Sequence, residues 1–528
     1  MCASHRRGGA RVIALVVLAG SVAPVLTGCG DARAPASRAA PTSRVRPNIV
    51  LIQADDATFD QLTPAIMPRT ERLLAGGGTL FTDYITTTPQ CCPSRASLLT
   101  GQYGHNNGVL SNTRPYRSLR NKGNVLPVWL HRAGYRTIHV GKFLNGYENV
   151  APPSRPAPGW TDWHTVVGET AYYRYDLYAN GRTVHHGARP IDNVTAVLNR
   201  IAAREVVRVA PSLKPFYLEL DERAPHTAGT DPYGRCDYAA MPQPRDERLQ
   251  VPAMPRPPSF NEQAMGDKPP FLRRPPLIGS EVNAIANRWR CAAQSLAGLD
   301  RGVAQVYRAV ARAGELNRTV FVFTSDNGIF RGQHRLAAGK IYPYQEAIHL
   351  PLVIKGPRSI LGGESVPHTV TAPVASIDLA PTMLQLAGAK PCASPGFCRT
   401  LDGRSLIPLL GGPGSWPANR PILTEYSADR PARGICRYAA VKTPGAIYIR
   451  HLAVENPASA GQSCKPADIR ERYNLRADPY ELRNLCPGGT ACPRDPLQRK
   501  LERAIGRLRR CAGIAGRDAR VPGHPFCE

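Results

Sequence analysis

Short apolar runs recur along the chain, and each ends in a cluster of polar residues. Four of them are rich in β-branched or aromatic residues: NIVLIQADD (48–56), RTIHVGK (136–142), PFYLELDERAPH (215–226) and TVFVFTSDNG (319–328). Such continuous runs predict strands that are buried on both faces. Segments with helical spacing lie between them, among them NVLPVWLHRAG and NRWRCAAQSLAGLDRGVAQVYRAVARAG. Strands that alternate with helices predict an α/β fold with a parallel or mostly parallel sheet.

The pattern changes after about residue 400. Short strand-like segments, such as RPILTEYSADR and ICRYAAVKTPGAIYIRHLAV, precede a final helical pattern, LQRKLERAIGRLRRC. We therefore predict a large domain over 47–400 and a smaller α+β domain with an antiparallel sheet over 401–528. The Pro-rich segment 229–276 has neither pattern and predicts a long surface excursion.

The first residues predict export. Three arginines precede the apolar run VIALVVLAG, and LTGC follows at 26–29, so residues 1–29 are typical of a signal peptide too short to span a membrane. LTGC resembles the bacterial lipobox, in which Cys29 carries lipid; cleavage without lipid is the alternative. Residues 30–46 have a linker composition. The prediction is an exported bacterial protein, either a cell-envelope lipoprotein that touches the membrane only through Cys29 or a secreted protein.

The formal net charge of +27 favours anionic partners. An Arg-, Ala- and Pro-rich genome composition would produce the same charge without a binding role. No basic run alternates with aromatic residues, as a single-strand binder would require. Nucleic acid is therefore not an expected partner.

Fourteen cysteines suit an oxidising compartment. Two belong to the predicted signal and lipid site, and ten lie beyond residue 200. Pairing neighbours in sequence would give 236–291, 392–398, 436–464, 486–492 and 511–527, although other pairings are open to ten cysteines. Either way, Cys91 and Cys92 are left over.

Polar residues at the ends of the predicted strands indicate a ligand site. In parallel α/β sheets, ligands bind outside the carboxyl ends of the strands. The residues found there are Asp55, Asp56, Lys142, His226, Asp326 and Asn327. Carboxylate and amide oxygens suit a hard cation, and Ca²⁺ rather than Mg²⁺ is expected in an exported protein.

Cys91 directly precedes a predicted helix, with Pro93 and Ser94 in its first turn. Free amides at the helix start and the nearby Arg95 would stabilise a thiolate, which predicts a lowered pKa and a nucleophilic role. A disulfide or simple burial is the alternative.

The stretch Cys91-x-Pro93-Ser94-Arg95-x-x-x-Leu99-Thr100-Gly101 resembles the sulfatase signature. The resemblance extends over roughly 47–490, through PNIVLIQADD, GYRTIHVGKFLNGY, TSDNG, the GK at 339–340 and NLRADPYELRNL. GKFLNGY and PRPPSFNEQAMGDKP are most similar to N-acetylglucosamine-6-sulfatases and their arylsulfatase relatives. The resemblance implies an alkaline-phosphatase-like fold with a small C-terminal domain.

The resemblance also implies roles for single residues. A formylglycine-generating enzyme would oxidise Cys91 to formylglycine, whose hydrate attacks sulfur. One Ca²⁺ per chain would be held by Asp55, Asp56, Asp326, Asn327 and the modified residue 91. Arg95 would position the hydrate, Lys142, Lys340 and His226 would contact the sulfate, and either His226 or Lys340 would protonate the leaving oxygen.

One position departs from the pattern of many sulfatases. Where they have a histidine two residues after the first lysine, this chain has Leu144. The base that completes the cycle is therefore unassigned, and His334 and His105 are candidates.

Three functions follow from these residues. The first is a sulfuric ester hydrolase acting on an aryl sulfate or a sulfated sugar, whether a small molecule or a glycan. The second is a formylglycine-dependent phosphonate monoester hydrolase or phosphodiesterase on the same scaffold. The third is a lipoprotein that binds sulfated glycans without turnover.

Overall fold

The computed structural model describes residues 46–528, except 114, 153–154, 169–170, 363–367, 412–413 and 460. The predicted signal peptide, Cys29 and nearly all of the predicted linker lie outside the described residues. Within the described ranges, no helix has both the length and the apolar character needed to cross a bilayer.

Eighteen strands form in the described residues. They are β1 Asn48–Ala54, β2 Thr79–Phe81, β3 Tyr84–Ile85, β4 Arg136–Gly141, β5 Asp162–Val167, β6 Tyr175–Ala179, β7 Arg182–His186, β8 Phe216–Asp221, β9 Thr319–Ser325, β10 Leu352–Lys355, β11 His368–Val370, β12 Val374–Ala375, β13 Cys392–Ser394, β14 Phe397–Cys398, β15 Ile422–Ala432, β16 Ile435–Thr443, β17 Ala446–Glu455 and β18 Cys464–Tyr473.

The α-helices of the same residues are α1 Pro68–Leu73, α2 Cys91–Thr100, α3 Gly104–Asn107, α4 Pro115–Ser118, α5 Leu126–Arg132, α6 Val194–Val209, α7 Gly279–Arg312, α8 Gln345–Ile348, α9 Arg358–Leu361, α10 Leu379–Ala387, α11 Ile407–Leu410 and α12 Pro496–Leu508.

A ten-stranded sheet forms the centre, in the order β11-β2-β10-β9-β1-β8-β4-β5-β6-β7. The five central strands, from β9 to β5, pair in parallel, and antiparallel pairs flank them on both sides. The four apolar runs of the sequence are β1, β4, β8 and β9, and they are direct neighbours. The predicted mostly parallel α/β sheet is therefore confirmed.

Alternating side chains of β1 enter the two hydrophobic layers. Ile49 and Leu51 pack in the layer that contains residues of α2, α5 and α10, whereas Val50 and Ile52 pack in the layer that contains residues of α6 and α7. Because successive side chains of a strand point to opposite faces, a strand covered by helices on both sides must be apolar throughout.

The C-terminal strands β15–β18 form an antiparallel sheet in sequence order, and α12 contacts it. The predicted antiparallel sheet and final helix are confirmed, while the domain boundary near residue 400 stays a prediction. The excursion 229–276 contains only short 3-10 turns. A disulfide from Cys236 to Cys291 attaches it to α7.

All five disulfides join neighbours in sequence: 236–291, 392–398, 436–464, 486–492 and 511–527. Cys91 and Cys92 are both free thiols. The sequential pairing is confirmed, and a disulfide between the two adjacent cysteines is absent.

Candidate active site

The carboxyl ends of four neighbouring strands bring the predicted polar residues to one edge of the sheet. These residues are Asp55 and Asp56 after β1, Lys142 after β4, His226 beyond β8, and Asp326 and Asn327 after β9. The short distances between their side chains, given below, follow from the strand order β9-β1-β8-β4.

A glycine permits the turn after β4. Gly141 has a φ of +121°, and a Cβ added there would lie 1.9 Å from the carbonyl oxygen of Asp221. The amide of Lys142 donates to that same oxygen at 2.9 Å. Since only glycine tolerates both the positive φ and the close approach, the Gly-Lys pair is what directs Lys142 into the site.

Cys91 is the first residue of α2 and is only 2% exposed. Its Sγ lies 3.5 Å from Asp55 Oδ1, and Lys340 Nζ donates to the same sulfur at 2.9 Å. The thiol therefore lies between a carboxylate and an ammonium group at the centre of the cluster.

Two lysines neutralise the carboxylates that follow β1. Lys142 Nζ lies 2.6 Å from Asp55 Oδ2, and Lys340 Nζ forms an ion pair with Asp56 Oδ1. His226 Nε2 lies 3.7 Å from Asp56 Oδ2, on the side of the cluster that reaches solvent. Lys142, Lys340 and His226 thus converge on the two carboxylates that follow β1.

Arg95 joins three strand ends beneath this cluster. Its Nε donates to Asp326 Oδ2 at 3.0 Å, and its Nη1 donates to Asp221 Oδ1 at 2.8 Å and to the Lys142 carbonyl at 2.9 Å. Asp221 is a residue of this cluster that the sequence analysis missed. Its position as the last residue of β8 is the same signal that identified the other site residues.

The amide of Asn327 contacts the cluster on one side only. Its Nδ2 donates to Asp56 Oδ1 at 2.5 Å, whereas its Oδ1 is buried and has no hydrogen-bond partner among the described residues. Asp326 Oδ1 accepts from the backbone amides of Asp56 at 3.2 Å and of Asn327 at 2.7 Å. These contacts hold both pairs of strand-end residues in place.

One ligand atom from each of Asp55, Asp56, Cys91 and His226 lies within 4.8 Å of the others. Asp326 is not in this group, and its oxygens accept hydrogen bonds from Arg95 and from two backbone amides. The structure therefore brings together Asp55, Asp56, Cys91, Arg95, Lys142, His226, Asp326, Asn327 and Lys340 in one connected cluster, with Asp326 attached through Arg95 and through backbone amides.

The charges of the cluster stabilise one another. Burial opposes ionisation of Asp55, but Lys142, together with Arg95, outweighs it and holds the pKa of that carboxyl well below its usual range. Burial likewise disfavours the Lys340 ammonium, yet Asp56 raises its pKa well above the usual value. Burial lowers the pKa of His226 to about 4, against the pull of the two aspartates. Both lysines are thus charged and His226 is neutral near pH 7.

The predicted lowering of the Cys91 pKa is wrong. Burial, followed by the Asp55 carboxylate, raises the pKa of the thiol to about 11, and the two lysines offset this only in part. The helix start and Arg95 suggested the opposite sign, but Arg95 is engaged by two carboxylates. An unmodified Cys91 is therefore a neutral thiol rather than a thiolate nucleophile.

Cys92 faces away from the cluster. It is fully buried in the layer shared with α2 and α5, and its sulfur contacts the Asn145 carbonyl at 4.0 Å. Leu144 is buried in the same layer. The two neighbouring thiols thus have different surroundings, one ionic and one apolar.

The two histidines considered as the unassigned base contact other groups. His105 lies 2.8 Å from Glu425 Oε1 and 3.1 Å from the Cys511 carbonyl. His334 lies 2.7 Å from Glu262 Oε2. Within the part of the chain that is described, neither has a recorded contact with a residue of the cluster, and the base stays unassigned.

The fold and this site define a class: an α/β protein of the alkaline-phosphatase-like type, in which paired carboxylates and cations surround a buried cysteine at a sheet edge. The family model described as Sulfatase matches residues 47–389. N-acetylglucosamine-6-sulfatase of Capra hircus is 30% identical over 93% of this chain and 88% of its own length. Arylsulfatase of Volvox carteri is 29% identical over 88% and 75%. The chain belongs to the sulfatase family and is a sulfuric ester hydrolase.

Solved structures agree on the fold. A protein in complex with its substrate D-glucosamine-2-N,6-O-disulfate matches with a TM-score of 0.66 and 20% identity, over 87% of this chain and 97% of that one. Phosphonate monoester hydrolase of Agrobacterium radiobacter matches with a TM-score of 0.58 and 20% identity, over 84% and 92%. The family assignment therefore favours an enzyme over the hypothesis of a non-catalytic, glycan-binding lipoprotein.

Proposed function

We propose that this enzyme hydrolyses sulfate esters through a formylglycine formed at Cys91, with one Ca²⁺ beside it. The observation that carries the proposal is the position of Cys91 Sγ, which contacts both Lys340 Nζ and Asp55 Oδ1 at the carboxyl edge of the sheet. The raised pKa of the thiol supports it further, because an unmodified Cys91 would be a poor nucleophile at neutral pH.

The residues fit a hard cation. The donors are oxygens of three carboxylates and one amide, and the buried Asn327 Oδ1 has no partner among the residues the structure describes. Asp55, Asp56, Asp326 and Asn327 would hold the ion, as oxygen ligands suit Ca²⁺. Bound there, Ca²⁺ would supply positive charge next to residue 91.

The side chains of the chain would bind and orient the sulfate. Lys142 and Lys340 are charged, and each lies beside a strand-end carboxylate and within reach of position 91. Their ammonium groups would bind sulfate oxygens and stabilise the charge that develops during transfer. Arg95, held by Asp221 and Asp326, would fix the first turn of α2 and therefore residue 91.

Lys340 is the better donor of the proton to the leaving oxygen. Its pKa is raised well above the usual value, so it carries a proton at neutral pH. His226 lies 2.6 Å from the Thr227 carbonyl through Nδ1, which places its proton on that nitrogen when the ring is neutral. Nε2 would then accept a hydrogen bond rather than donate one, and His226 would orient the substrate.

We infer that the substrate is a sulfated sugar. The Capra hircus relative is named for N-acetylglucosamine 6-sulfate hydrolysis and matches along most of both chains. The net charge of +27 also suits an anionic glycan. An aryl sulfate would serve as the laboratory substrate.

A formylglycine-dependent phosphonate monoester hydrolase is the second candidate. The fold match to the Agrobacterium radiobacter enzyme favours it, and the same cations would bind a tetrahedral phosphonate. Comparing kcat/KM for matched aryl sulfate and aryl phosphonate esters would separate the two functions.

Maturation and export complete the proposal. Five disulfides favour an oxidising compartment, and residue 91 would require a formylglycine-generating enzyme. Lipid attachment at Cys29 and the domain boundary near residue 400 stay predictions.

The first experiment is mass spectrometry of the reduced tryptic peptide 73–95 from protein made in a host that matures sulfatases. A loss of sulfur and two hydrogens with a gain of oxygen, located at residue 91, is the expected result. If both thiols remained intact while the enzyme turned over, the formylglycine proposal would be wrong.

A further inference from the structure

A second cluster of metal-ligand side chains lies apart from the catalytic residues; we refer to His334, Glu346 and Glu481 as the second cluster. One ligand atom from each lies within 4.8 Å of the others. One atom of each side chain, His334 Nε2, Glu346 Oε2 and Glu481 Oε1, is buried and lacks a hydrogen-bond partner in the described part of the chain, and His334 Nε2 lies 3.9 Å from Glu346 Oε2. Buried polar atoms are rarely left unsatisfied, so three that face one another need an explanation.

The other polar atom of each side chain is already held. His334 Nδ1 contacts Glu262 Oε2 at 2.7 Å. Glu481 Oε2 accepts from the Gln345 backbone amide at 2.9 Å, and Glu346 Oε1 accepts from Ser259 Oγ at 3.1 Å. The carboxylate–histidine contact leaves the Nε2 lone pair free, which is the arrangement found where histidine binds a metal.

The charges around the second cluster do not balance if its two carboxyl groups and that of Glu262 are all ionised. Lys268 Nζ lies 3.0 Å from Glu262 Oε1 and neutralises that carboxylate. The carboxyl groups of Glu346 and Glu481 then remain next to each other and to the His334 ring. A divalent cation would neutralise both carboxylates at once.

We propose that the second cluster binds a divalent transition metal, Zn²⁺ in an extracellular setting, through His334 Nε2, Glu346 Oε2 and Glu481 Oε1. An imidazole nitrogen with two carboxylate oxygens suits Zn²⁺ and disfavours Ca²⁺, which takes oxygen ligands. The site is distinct from the calcium site proposed above and shares no ligand with it.

The proposed site connects two parts of the chain. His334 lies between the strand end that carries Asn327 and the catalytic Lys340, whereas Glu481 lies beyond the C-terminal sheet. A metal ion held by both would stabilise the segment that carries Lys340 against the C-terminal region. A cavity of about 580 Å³ is lined in part by Gln333, Glu346 and Tyr480, so one of the three residues of the second cluster also lines a cavity.

Protons are the competing occupants. Burial and the Glu346 carboxylate raise the pKa of Glu481 well above its usual range. A proton on Glu481 would also remove one negative charge from the cluster. A bound metal ion and a protonated Glu481 can be distinguished by Glu481→Gln. The amide would impair metal binding, but it would replace a protonated carboxyl group without loss of stability.

The test is the zinc content of the full mature protein after dialysis against buffer with a trace of free Zn²⁺. Cys91 also belongs to a group that could bind zinc, so the Cys91→Ala variant is measured beside Glu481→Gln. We expect about one zinc per chain in the wild type and in Cys91→Ala. In Glu481→Gln we expect the affinity for zinc to fall roughly tenfold or more, and the zinc content to fall with it. Equal zinc content in wild type and Glu481→Gln, or loss only in Cys91→Ala, would overturn the proposal.

Thermal unfolding separates metal from protons. We expect Zn²⁺ to raise the Tm of the wild type and of Glu502→Gln, an exposed control with the same chemical change, but not that of Glu481→Gln. A Tm of Glu481→Gln equal to or above that of the wild type, with no response to Zn²⁺ in either, would establish the protonated cluster instead. If Glu481→Gln does not fold, anomalous diffraction from zinc-soaked wild-type crystals decides, because a peak or its absence between the three atoms needs no variant.

Discussion

The two carboxylate clusters of this protein differ in what faces their charges. In the cluster around Cys91, Lys142, Lys340 and Arg95 point at the aspartates, and Asp55 remains ionised in spite of its burial. In the second cluster, Lys268 is engaged by the Glu262 carboxylate and by the Glu481 carbonyl, and burial raises the pKa of the Glu481 carboxyl well above its usual range.

This difference teaches how burial and function are related. A site that transfers an anionic group needs cations aimed into it, because they must stabilise charge on the substrate. Free ligand atoms that face one another without such cations suit an ion that is held and not transformed. The predictions below test this contrast, from the largest expected effect to the smallest.

Replacement of Cys91 should have the largest effect. Cys91→Ala removes the residue that contacts both Lys340 and Asp55, and we expect kcat/KM for an aryl sulfate to fall by roughly 10³-fold or more. Cys92→Ala is the matched control, because that thiol packs in an apolar layer, and it should retain most of the activity. Equal losses in the two variants would contradict the assignment of position 91.

Asp221→Asn tests how the cluster around Cys91 is organised. Asp221 Oδ1 accepts a hydrogen bond from Arg95 Nη1 at 2.8 Å, so it acts through Arg95. Residues that orient other site residues typically account for about 10–100-fold in activity, and we expect a kcat loss in that range with little change in KM. A change confined to KM would instead place Asp221 in substrate binding.

His105 and Glu425 form a mostly buried ion pair in which both ring nitrogens of the histidine already have hydrogen-bond partners. Burial disfavours its charge, but Glu425 outweighs burial and raises the pKa of His105 to about 9. Because this value exceeds the unfolded value of 6.5, the pair stabilises the fold fully below pH 6.5, and this contribution is lost as pH rises through about 9.

The measurement for this pair is the free energy of unfolding of wild type and His105→Gln. We expect the variant to be roughly 1–3 kcal/mol less stable at pH 6, with the difference shrinking by pH 9.5. A difference that stayed constant with pH would mean that packing, and not the ion pair, is what His105 contributes.

The smallest effect is expected at exposed ion pairs in the C-terminal sheet. Asp468 lies 2.8 Å from Arg450 and 2.7 Å from Arg470, and solvent reaches all three side chains. Asp468→Asn should cost about 0.2–1 kcal/mol of unfolding free energy, measured by denaturant titration at moderate salt, because solvent screens such pairs. A loss of unfolding free energy above that range would mean that these exposed ion pairs contribute as much to stability as the buried ion pairs do.

Much of the scaffold could be predicted from local patterns. The apolar runs of β1, β4, β8 and β9 are buried on both faces, so their composition identifies them without knowledge of their partners. The edge strand β7 is mostly exposed and its neighbour β6 is partly exposed, and neither carries such a signal. The disulfides could be paired because each joins cysteines that are neighbours in sequence.

The sign of the Cys91 pKa could not be predicted from sequence. Helix position and Arg95 are local features, whereas burial and the partners of Arg95 depend on strands more than 120 residues apart in sequence. A guanidinium that is already shared by two carboxylates stabilises a thiolate much less than a free one would.

By itself, the sequence determined the class of fold, the residues at the strand ends and the identity of the cysteine at the start of α2. These depend on periodicity and on short motifs, which are properties of neighbouring residues. Only the tertiary structure decided the electrostatics of Cys91, the role of Asp221 in holding Arg95, and the meeting of His334 with Glu481 across the C-terminal region. The reason is physical: desolvation and Coulomb interactions act over a few ångströms in space, and the groups that determine them lie far apart along the chain.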